Sequence, residues 1–331
     1  MSQAPLAHIG VIGAGAFGTA LAAAARRTGA RVSLWGRDAA RIEAMRGTRH
    51  NPRLPDYRLA EGIVPTASLA EAAQADALII TVPTQALREN IQALASMGAG
   101  AAPLIVAAKG IERASGLLVT DVVRAVLPDA PVAMLSGPGF AADIAAGFPA
   151  ALTLAAEDAD LAKRLAEALS SPAFRLYAAS DLRGVEIGGA AKNVLAIAAG
   201  VAAGKGFGES TIAALLARCF AELTRFGVAH GARAETLAGL SGLGDLILTG
   251  MSSRSRNRRL GEELGRGRLL DQAIADVGLA EGVWTAPILA EMAEEKGVDM
   301  PVAQAVADLV AGKVTVDGAI ELLLARPVKS E

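Results

Sequence analysis

The sequence predicts a doubly wound α/β domain with a mostly parallel sheet, followed by an all-α domain. Three observations predict it. Short β-favouring runs alternate with helix-suited stretches up to about Ser180, the first run stops at a cluster of glycines, and beyond Ser180 helical periodicity takes over nearly to the end. At roughly 150 residues per domain the 331 residues suggest two domains, 1–180 and 181–331, with ample chain for a sizeable core.

The elements follow in order. Ile9, Val11 and Ile12 form a β-favouring run that ends at Gly13, and Thr19 to Arg27 combines alanine with long side chains, which suits a helix. A second strand follows at Arg31 to Trp35, completing a β-turn-α-β unit. The apolar runs Ala77 to Val82, Leu104 to Ala107, Val132 to Leu135 and Ala151 to Leu154 read as further buried strands, with room for helices between most of them. The second half predicts helices at Leu182 to Ala203, Thr211 to Phe226, Ala234 to Leu240, Arg258 to Gly265, Leu270 to Asp276, Ala286 to Glu295, Pro301 to Val310 and Val316 to Leu324. No repeat and no linker composition interrupts them.

Composition narrows the function classes. With 52% hydrophobic and 20% charged residues the chain is globular rather than disordered. Thirty-two basic against 34 acidic residues leave no global field to attract nucleic acid or an anionic membrane, so any phosphate must be met locally. Aromatic residues at 3% argue against a stacking platform for single-stranded nucleic acid. A lone Cys219 excludes an internal disulfide and any multi-cysteine zinc site. The apolar runs Ile144 to Ala156 and Val194 to Gly204 are stopped by Glu157 and Lys205, so no transmembrane helix is expected. The N-terminus lacks a basic leader and the first motif begins by Ile9, which points to a soluble cytoplasmic protein.

Gly13-Ala14-Gly15-Ala16-Phe17-Gly18 matches G-x-G-x-x-G between a predicted strand and a predicted helix, the setting of a Rossmann dinucleotide-binding turn. Gly13 permits the tight turn, Gly15 lets the backbone approach a pyrophosphate, Gly18 allows close helix packing, and the helix N-terminus offers free N–H groups. Trp35-Gly36-Arg37-Asp38 ends the second strand where the adenosine ribose is read. Arg37 favours the 2'-phosphate of NADP, Asp38 leaves NAD open, and a solvated surface pair is the plain alternative to both.

Lys109 follows an apolar strand and places a cation at its carboxyl end, where open α/β sheets bind ligands; an ordinary loop lysine is the plain alternative. Lys192 lies where helical projection gathers Gly189, Lys192, Asn193, Ala196 and Gly200 on one narrow stripe. Glycines inside a helix are costly, so a ligand or another helix must approach the backbone there. A lysine desolvated by such neighbours has its pKa lowered towards the range of a general acid/base, whereas a snorkelling lysine does not. Gly242-Leu243-Gly244-Asp245 offers one carboxylate on a glycine-rich turn. Ser252 to Arg259 sets four arginines among hydroxyls and an amide, a set suited to a phosphate monoester or to a solvated or RNA-binding basic run, the near-neutral charge and scarce aromatics counting against RNA.

Taken together these segments resemble the bacterial-type NAD(P)-dependent sn-glycerol-3-phosphate dehydrogenases over nearly the whole chain. The matching motifs are GAGAFGTALA from Gly13, LWGRD from Leu34, AAKGIE from Ala107, SGPGFA from Ser136, GGAAKNVLAIAAG from Gly188, GLGDLILT from Gly242, SRNRR from Ser255 and AEG from Ala280. The resemblance implies a Rossmann domain followed by a helical domain of the 6-phosphogluconate-dehydrogenase-like type, usually as a homodimer. It implies reversible hydride transfer between NAD(P)H and dihydroxyacetone phosphate, giving sn-glycerol 3-phosphate for phospholipid synthesis.

The resemblance also implies roles. Lys192 matches the lysine that gives and takes the proton at the substrate oxygen, and Lys109 and Asp245 join it as catalytic residues. Substrate contacts fall on Lys109, Gly137, Gly139, Lys192, Asn193, Asp245, Ser255, Arg256 and Asn257. Cofactor positions fall on Gly13, Gly15, Ala16, Phe17, Gly18, Arg37, Lys109, Ala141, Arg256, Leu279 and Glu281; no metal is implied. The family commonly carries Ser or Thr where this chain has Gly139, which leaves backbone N–H groups at Gly137 and Gly139 in place of a hydroxyl. The segment before Glu281 is about one residue shorter than the family pattern. Two-domain dehydrogenases of β-hydroxyacids or phosphogluconate compete with this reading, as does a catalytically silent cofactor-binding regulator.

Overall fold

The computed structural model describes residues 6–327. The chain divides into two compact units. One comprises the residues through Ala108 together with Leu118–Glu186, and the other comprises Lys109–Leu117 together with the chain from Ile187. Relative to a single boundary near Ser180, the short segment that carries Lys109 groups with the helices.

The α/β unit runs β1 (His8–Ile12), α1 (Ala16–Arg27), β2 (Arg31–Trp35), α2 (Ala39–Thr48), β3 (His50–Asn51), β4 (Leu54–Arg58), β5 (Ile63–Thr66), α3 (Leu69–Ala73), β6 (Ala77–Ile80), α4 (Leu87–Ser96), β7 (Leu104–Val106), α5 (Val119–Val126), β8 (Val132–Ser136), α6 (Ala141–Ala146), β9 (Ala150–Ala156), α7 (Ala159–Leu169) and β10 (Phe174–Ala179). Eight strands form one sheet in the order β10-β9-β8-β7-β6-β1-β2-β5. All neighbours are parallel except β8 and β9, so β9 and β10 run against the other six.

Every residue of β1, β6, β7 and β8 is buried, which is why these strands read as unbroken apolar runs rather than alternating ones. β1 pairs with β2 on one side and β6 on the other, aligning Ile9 with Val32 and with Ala77. The chain therefore leaves β1 in one direction and later returns to its other flank. That reversal is the topological switch point at which open α/β sheets receive ligands, and the glycine turn sits there.

Sequence patterning did not reveal β3, β4, β5 and β10. The last two are the edges of the sheet: β5 contains Pro65, and β10 leaves Arg175, Tyr177 and Ala178 exposed, so neither carries a core-strand pattern. β3 and β4 form a separate two-stranded hairpin.

The helical unit begins within α8 (Leu182–Gly204), whose first residues belong to the α/β unit. It continues through α9 (Glu209–Ala229), α10 (Ala234–Leu237), a π-helical turn (Leu240–Gly244), α11 (Asp245–Met251), α12 (Arg256–Gly265), α13 (Leu270–Val277), α14 (Glu281–Glu295), α15 (Pro301–Val310) and α16 (Val316–Leu324). Several boundaries differ from expectation. α1 starts at Ala16 rather than Thr19, and α9 runs Glu209–Ala229 rather than Thr211 to Phe226. Three others differ as well. The helix expected from Arg258 starts at Arg256, because the Ser255 hydroxyl caps it by accepting the Arg258 N–H at 3.3 Å. The helix expected to reach Leu240 stops at Leu237, and the glycine-rich stretch after it forms the π-helical turn that launches α11. α14 begins five residues before the expected Ala286 and carries Pro287 inside it.

The expectation that no stretch is long and apolar enough to span a membrane is corrected by α8. This 23-residue helix passes on length and mean hydropathy. Yet 83% of its apolar window is buried against the protein's own chain, as in a core helix.

Glycines set how closely α8 and α12 pack. A Cβ on Gly200 would overlap the Arg258 carbonyl, and one on Gly204 the Glu262 carbonyl; reciprocally, Gly261 and Gly265 face the carbonyls of Ile197 and Val201. Backbone meets backbone along two turns. Further up α8, a Cβ on Gly188 would lie 2.7 Å from the Ser241 carbonyl of the π-helical turn.

Candidate active site

The dinucleotide turn links β1 to α1. Gly13 adopts φ +124°, a conformation that only glycine enters freely, and donates its N–H to the Trp35 carbonyl at 3.0 Å. Thr81 clasps the turn from β6's end, donating its hydroxyl to the Gly13 carbonyl at 2.9 Å. A Cβ at Gly18 would overlap that same carbonyl, whereas Gly15 faces open space. Gly15 is the N-cap of α1 and makes no side-chain cap hydrogen bond, and a helix N-terminus of this kind favours an anion. These features fit the pyrophosphate of NAD(P). Ala16 and Phe17 follow in the first turn of α1, both half-buried.

Arg37 is exposed just beyond β2, and its neighbour Gly36 lies against Ala14 of the turn, where a Cβ would be 3.0 Å from the Ala14 side chain. Asp38 has a structural task, because its carboxylate caps α2 by accepting the Arg41 N–H at 3.0 Å. After β8, Gly137 adopts φ +143°. A Cβ at Gly139 would lie 2.9 Å from the tip of Ile144, so the place where a Ser or Thr side chain would start is taken by that isoleucine. Ala141 opens α6.

The helical unit gathers the ionisable residues. Lys192, on α8, donates to Asp245 Oδ1 at 3.0 Å and to the Thr249 hydroxyl at 2.8 Å. Lys109 donates to the other oxygen, Oδ2, at 2.6 Å, so one carboxylate bridges two ammonium groups. Asp245 opens α11 and Thr249 stands one turn later, with its hydroxyl 3.1 Å from Oδ1. A chain of amides encloses the cluster: Asn193 donates to the Lys109 carbonyl at 3.0 Å, Asn257 donates to Asn193 Oδ1 at 2.9 Å, and Gly282 donates to Asn257 Oδ1 at 3.0 Å. Each side-chain amide thus fixes the next.

Burial shapes the charges. Desolvation pulls the Lys192 ammonium down to about 8, with Lys109 adding to the fall and Asp245 opposing it. Burial alone would raise Asp245, but the two lysines outweigh it and hold the carboxyl below its usual range. A lysine titrating near 8 can both donate and accept a proton close to neutral pH.

Of the residues singled out from sequence, Lys109, Lys192, Asn193, Asp245 and Asn257 meet in one hydrogen-bonded cluster. Ser255 caps α12, Arg256 and Leu279 are exposed, and Glu281 is half-buried at the start of α14. Among the four arginines near Ser255, Arg258 is committed to structure: it pairs with Glu262 at 2.8 Å and donates to the Gly250 carbonyl. Thr249 was not anticipated. Its only sequence signal is its place four residues after Asp245, one turn along the same helix face.

A dinucleotide turn on an α/β unit and a buried Lys–Asp–Lys cluster on a helical unit are the parts of an NAD(P)-dependent oxidoreductase. Comparison with known proteins narrows this. The family models for the N-terminus and C-terminus of NAD-dependent glycerol-3-phosphate dehydrogenase match residues 8–162 and 181–321. A glycerol-3-phosphate dehydrogenase [NAD(P)+] of Bradyrhizobium sp. strain BTAi1 is 55% identical over 323 residues, 98% of each chain, and one from Azorhizobium caulinodans is 53% identical over 325 residues, again 98% of each. The crystal structure of glycerol-3-phosphate dehydrogenase from Coxiella burnetii superposes with a TM-score of 0.92 at 33% identity, covering 97% of this chain and 99% of that one. The chain belongs to the NAD-dependent glycerol-3-phosphate dehydrogenase family.

Proposed function

We propose that this chain is an NAD(P)-dependent sn-glycerol-3-phosphate dehydrogenase that interconverts dihydroxyacetone phosphate and sn-glycerol 3-phosphate, the latter serving glycerophospholipid synthesis. One observation carries the mechanism: a buried lysine amine, titrating near 8, is held by Asp245 and Thr249 in a family whose reaction moves one proton with each hydride. Bound NAD(P)H supplies the hydride to C2 of the ketone. Lys192 does the proton work. As alkoxide charge develops on the C2 oxygen, the ammonium stabilises it and delivers the proton; in the oxidative direction the neutral amine takes the hydroxyl proton.

Asp245 keeps Lys192 charged and aimed, and also orients Lys109, whose ammonium supports the same oxygen end of the substrate. Asn193 and Asn257 hold the polar end of the substrate, each braced by the amide chain. The phosphate is received by Ser255, Arg256 and the N-terminus of α12, where binding remote from C2 orients the reacting atoms. Gly137 and Gly139 contribute backbone N–H groups. Gly13, Gly15, Gly18, Ala16, Phe17, Ala141, Leu279, Glu281 and Arg256 line the cofactor. NADPH is preferred, because Asp38 is occupied as a helix cap while Arg37 stands exposed beside the dinucleotide turn. By family resemblance the protein acts as a cytoplasmic homodimer.

The deciding experiment follows loss of reduced-nicotinamide absorbance with dihydroxyacetone phosphate, run in parallel with NADPH and NADH. Substrate-dependent oxidation is expected with both and faster with NADPH. Absence of oxidation with either, in protein shown to bind NADPH, would refute the assignment of substrate.

A further inference from the structure

Asn51, in β3, is fully buried and every polar atom of its amide is engaged. Its Nδ2 donates to the Ala14 carbonyl at 3.2 Å and to the Thr19 hydroxyl at 2.6 Å, while its Oδ1 accepts the Arg53 N–H at 3.0 Å. Thr19, equally buried on α1, donates that hydroxyl to the Gly15 carbonyl at 2.8 Å. Directly and through one intermediary, a side chain from the hairpin therefore holds the carbonyls of two successive residues of the dinucleotide turn.

Peptide planarity makes those bonds consequential. In a trans peptide the C=O and N–H point in opposite directions, so a Gly15 carbonyl drawn towards Thr19, whose backbone N–H at 3.0 Å and hydroxyl both donate to it, turns the Ala16 N–H the other way. Gly15 borders open space. The hairpin that carries Asn51 is itself anchored: Arg49, in a left-handed conformation at φ 60°, donates to the carbonyls of Ile63, Leu59 and Ala60 at 3.1, 3.0 and 2.6 Å. Leu54, on the facing strand, packs into the same core as Ile42 and Met45. The two-stranded hairpin is thus tied to the core through Leu54.

We infer that Asn51 is a positioning residue for the dinucleotide: it fixes the orientation of the turn peptides that receive the pyrophosphate, without touching the cofactor itself. Replacing it leaves the glycines intact but frees the Ala14 carbonyl and unties the Thr19 hydroxyl, so the Gly15 carbonyl is left to the Thr19 backbone N–H at 3.0 Å alone and the turn must be reordered each time a nucleotide binds. This inference rests on the dinucleotide-binding reading of the turn.

The test compares Asn51→Asp, nearly isosteric but without the two N–H donors, with Asn51→Leu and Thr19→Val. Leu165→Ala, a buried truncation on α7 of the same unit, serves as the control for general destabilisation. NADPH and NADH binding to the ligand-free protein is measured by calorimetry, and amide hydrogen exchange is followed across Ala14 to Thr19. Both Asn51 variants should bind either nucleotide about tenfold or more weakly and exchange the turn amides about tenfold faster, with kcat at saturating cofactor changed less than about threefold. Thr19→Val should fall between them and the native protein, and Leu165→Ala should lower the melting temperature with nucleotide affinity unchanged. A folded Asn51→Asp that binds nucleotides as tightly as the native chain overturns the inference alone. Should the native chain bind neither nucleotide, the reading of the turn fails and the inference with it. If Asn51→Leu does not fold, Asn51→Asp and Thr19→Val still decide the matter.

Discussion

Replacing Asp245 by Asn tests how the cluster sets the Lys192 proton. The substitution keeps the shape and removes one negative charge 3.0 Å from the Lys192 ammonium. Two unit charges at that distance interact by about 5–6 kcal/mol at an effective dielectric of 20, and water entry and the remaining Thr249 contact would recover about half. A loss of roughly 2–3 kcal/mol corresponds to about two pKa units, carrying Lys192 from near 8 to near 6. The sign is fixed: losing a carboxylate that favours the ammonium lowers the pKa further. On the proposed mechanism ketone reduction needs the protonated lysine, so at pH 7.5 its available fraction would fall roughly 25-fold. The assay is kcat against pH in the reductive direction, with a deuterated reduced cofactor to establish that hydride transfer limits the rate. Lys109→Met gives the opposite sign, because the Lys109 charge depresses Lys192, so its midpoint should rise by about one unit. An Asp245→Asn profile whose midpoint stays near 8, or a Lys109→Met midpoint that moves downwards, would refute the electrostatic account.

Arg37→Ala should raise the KM for NADPH about tenfold while changing that for NADH less than about threefold, as loss of one guanidinium–phosphate contact predicts; the ratio of the two KM values reads it directly. Gly200→Ala should cost about 2–4 kcal/mol in denaturant unfolding, because its Cβ would overlap the Arg258 carbonyl, whereas Gly47→Ala, in a helix with open space around it, should be neutral or stabilising by up to about 1 kcal/mol. Glu186→Gln addresses a buried carboxyl raised by desolvation to about 7, whose oxygen accepts the Thr120 N–H at 2.6 Å. Between about 4.5 and 7 the native state binds more protons there than the unfolded chain, so this contribution is whole below the lower value and fades as pH rises through 7. The glutamine variant should therefore gain relative to the native protein between pH 5 and pH 8, by on the order of 2 kcal/mol in paired unfolding curves, and a pH-independent difference would contradict it.

The core of the α/β unit could be read in the sequence because its central strands are buried on both faces and so are spelled as continuous apolar runs. Edges and hairpins could not. β5 and β10 each have a partner on one side only, and their sequences mix proline or charged residues with apolar ones because one edge meets no further strand. The active cluster was half legible. Lys192 and Asp245 each stood out by residue type in unusual company, but nothing in a one-dimensional pattern states that positions 109, 192 and 245 share one carboxylate. The small residues on α8 pointed to a close approach without naming the visitor. Gly200 and Gly204 admit the backbone of α12 and Gly188 admits the π-helical turn, while Lys192 and Asn193 lie between them. Thr249 escaped notice because a threonine in an apolar helix carries no signal until the lysine it receives is placed beside it.

Those glycines also explain why the cluster can exist at all. A lysine and an aspartate taken out of water are expensive unless each remaining proton and lone pair finds a partner. Partners within 3 Å must come from separate helices, and helices of ordinary composition pack with their axes 8–10 Å apart. Gly188 lets the turn ahead of Asp245 settle against α8, and Gly200 with Gly261 draws α12, and Asn257 with it, towards the same helix. The resulting Lys109–Asp245–Lys192 arrangement carries one net positive charge in a dry setting. On the proposed mechanism an alkoxide forming beside it would contribute one negative charge, so the cluster would be better matched to the transition state of ketone reduction than to the neutral ketone it starts from. Close packing of backbone is thus the means by which this sequence holds an electrostatically unfinished site in place, which on the proposed mechanism the substrate oxygen would complete.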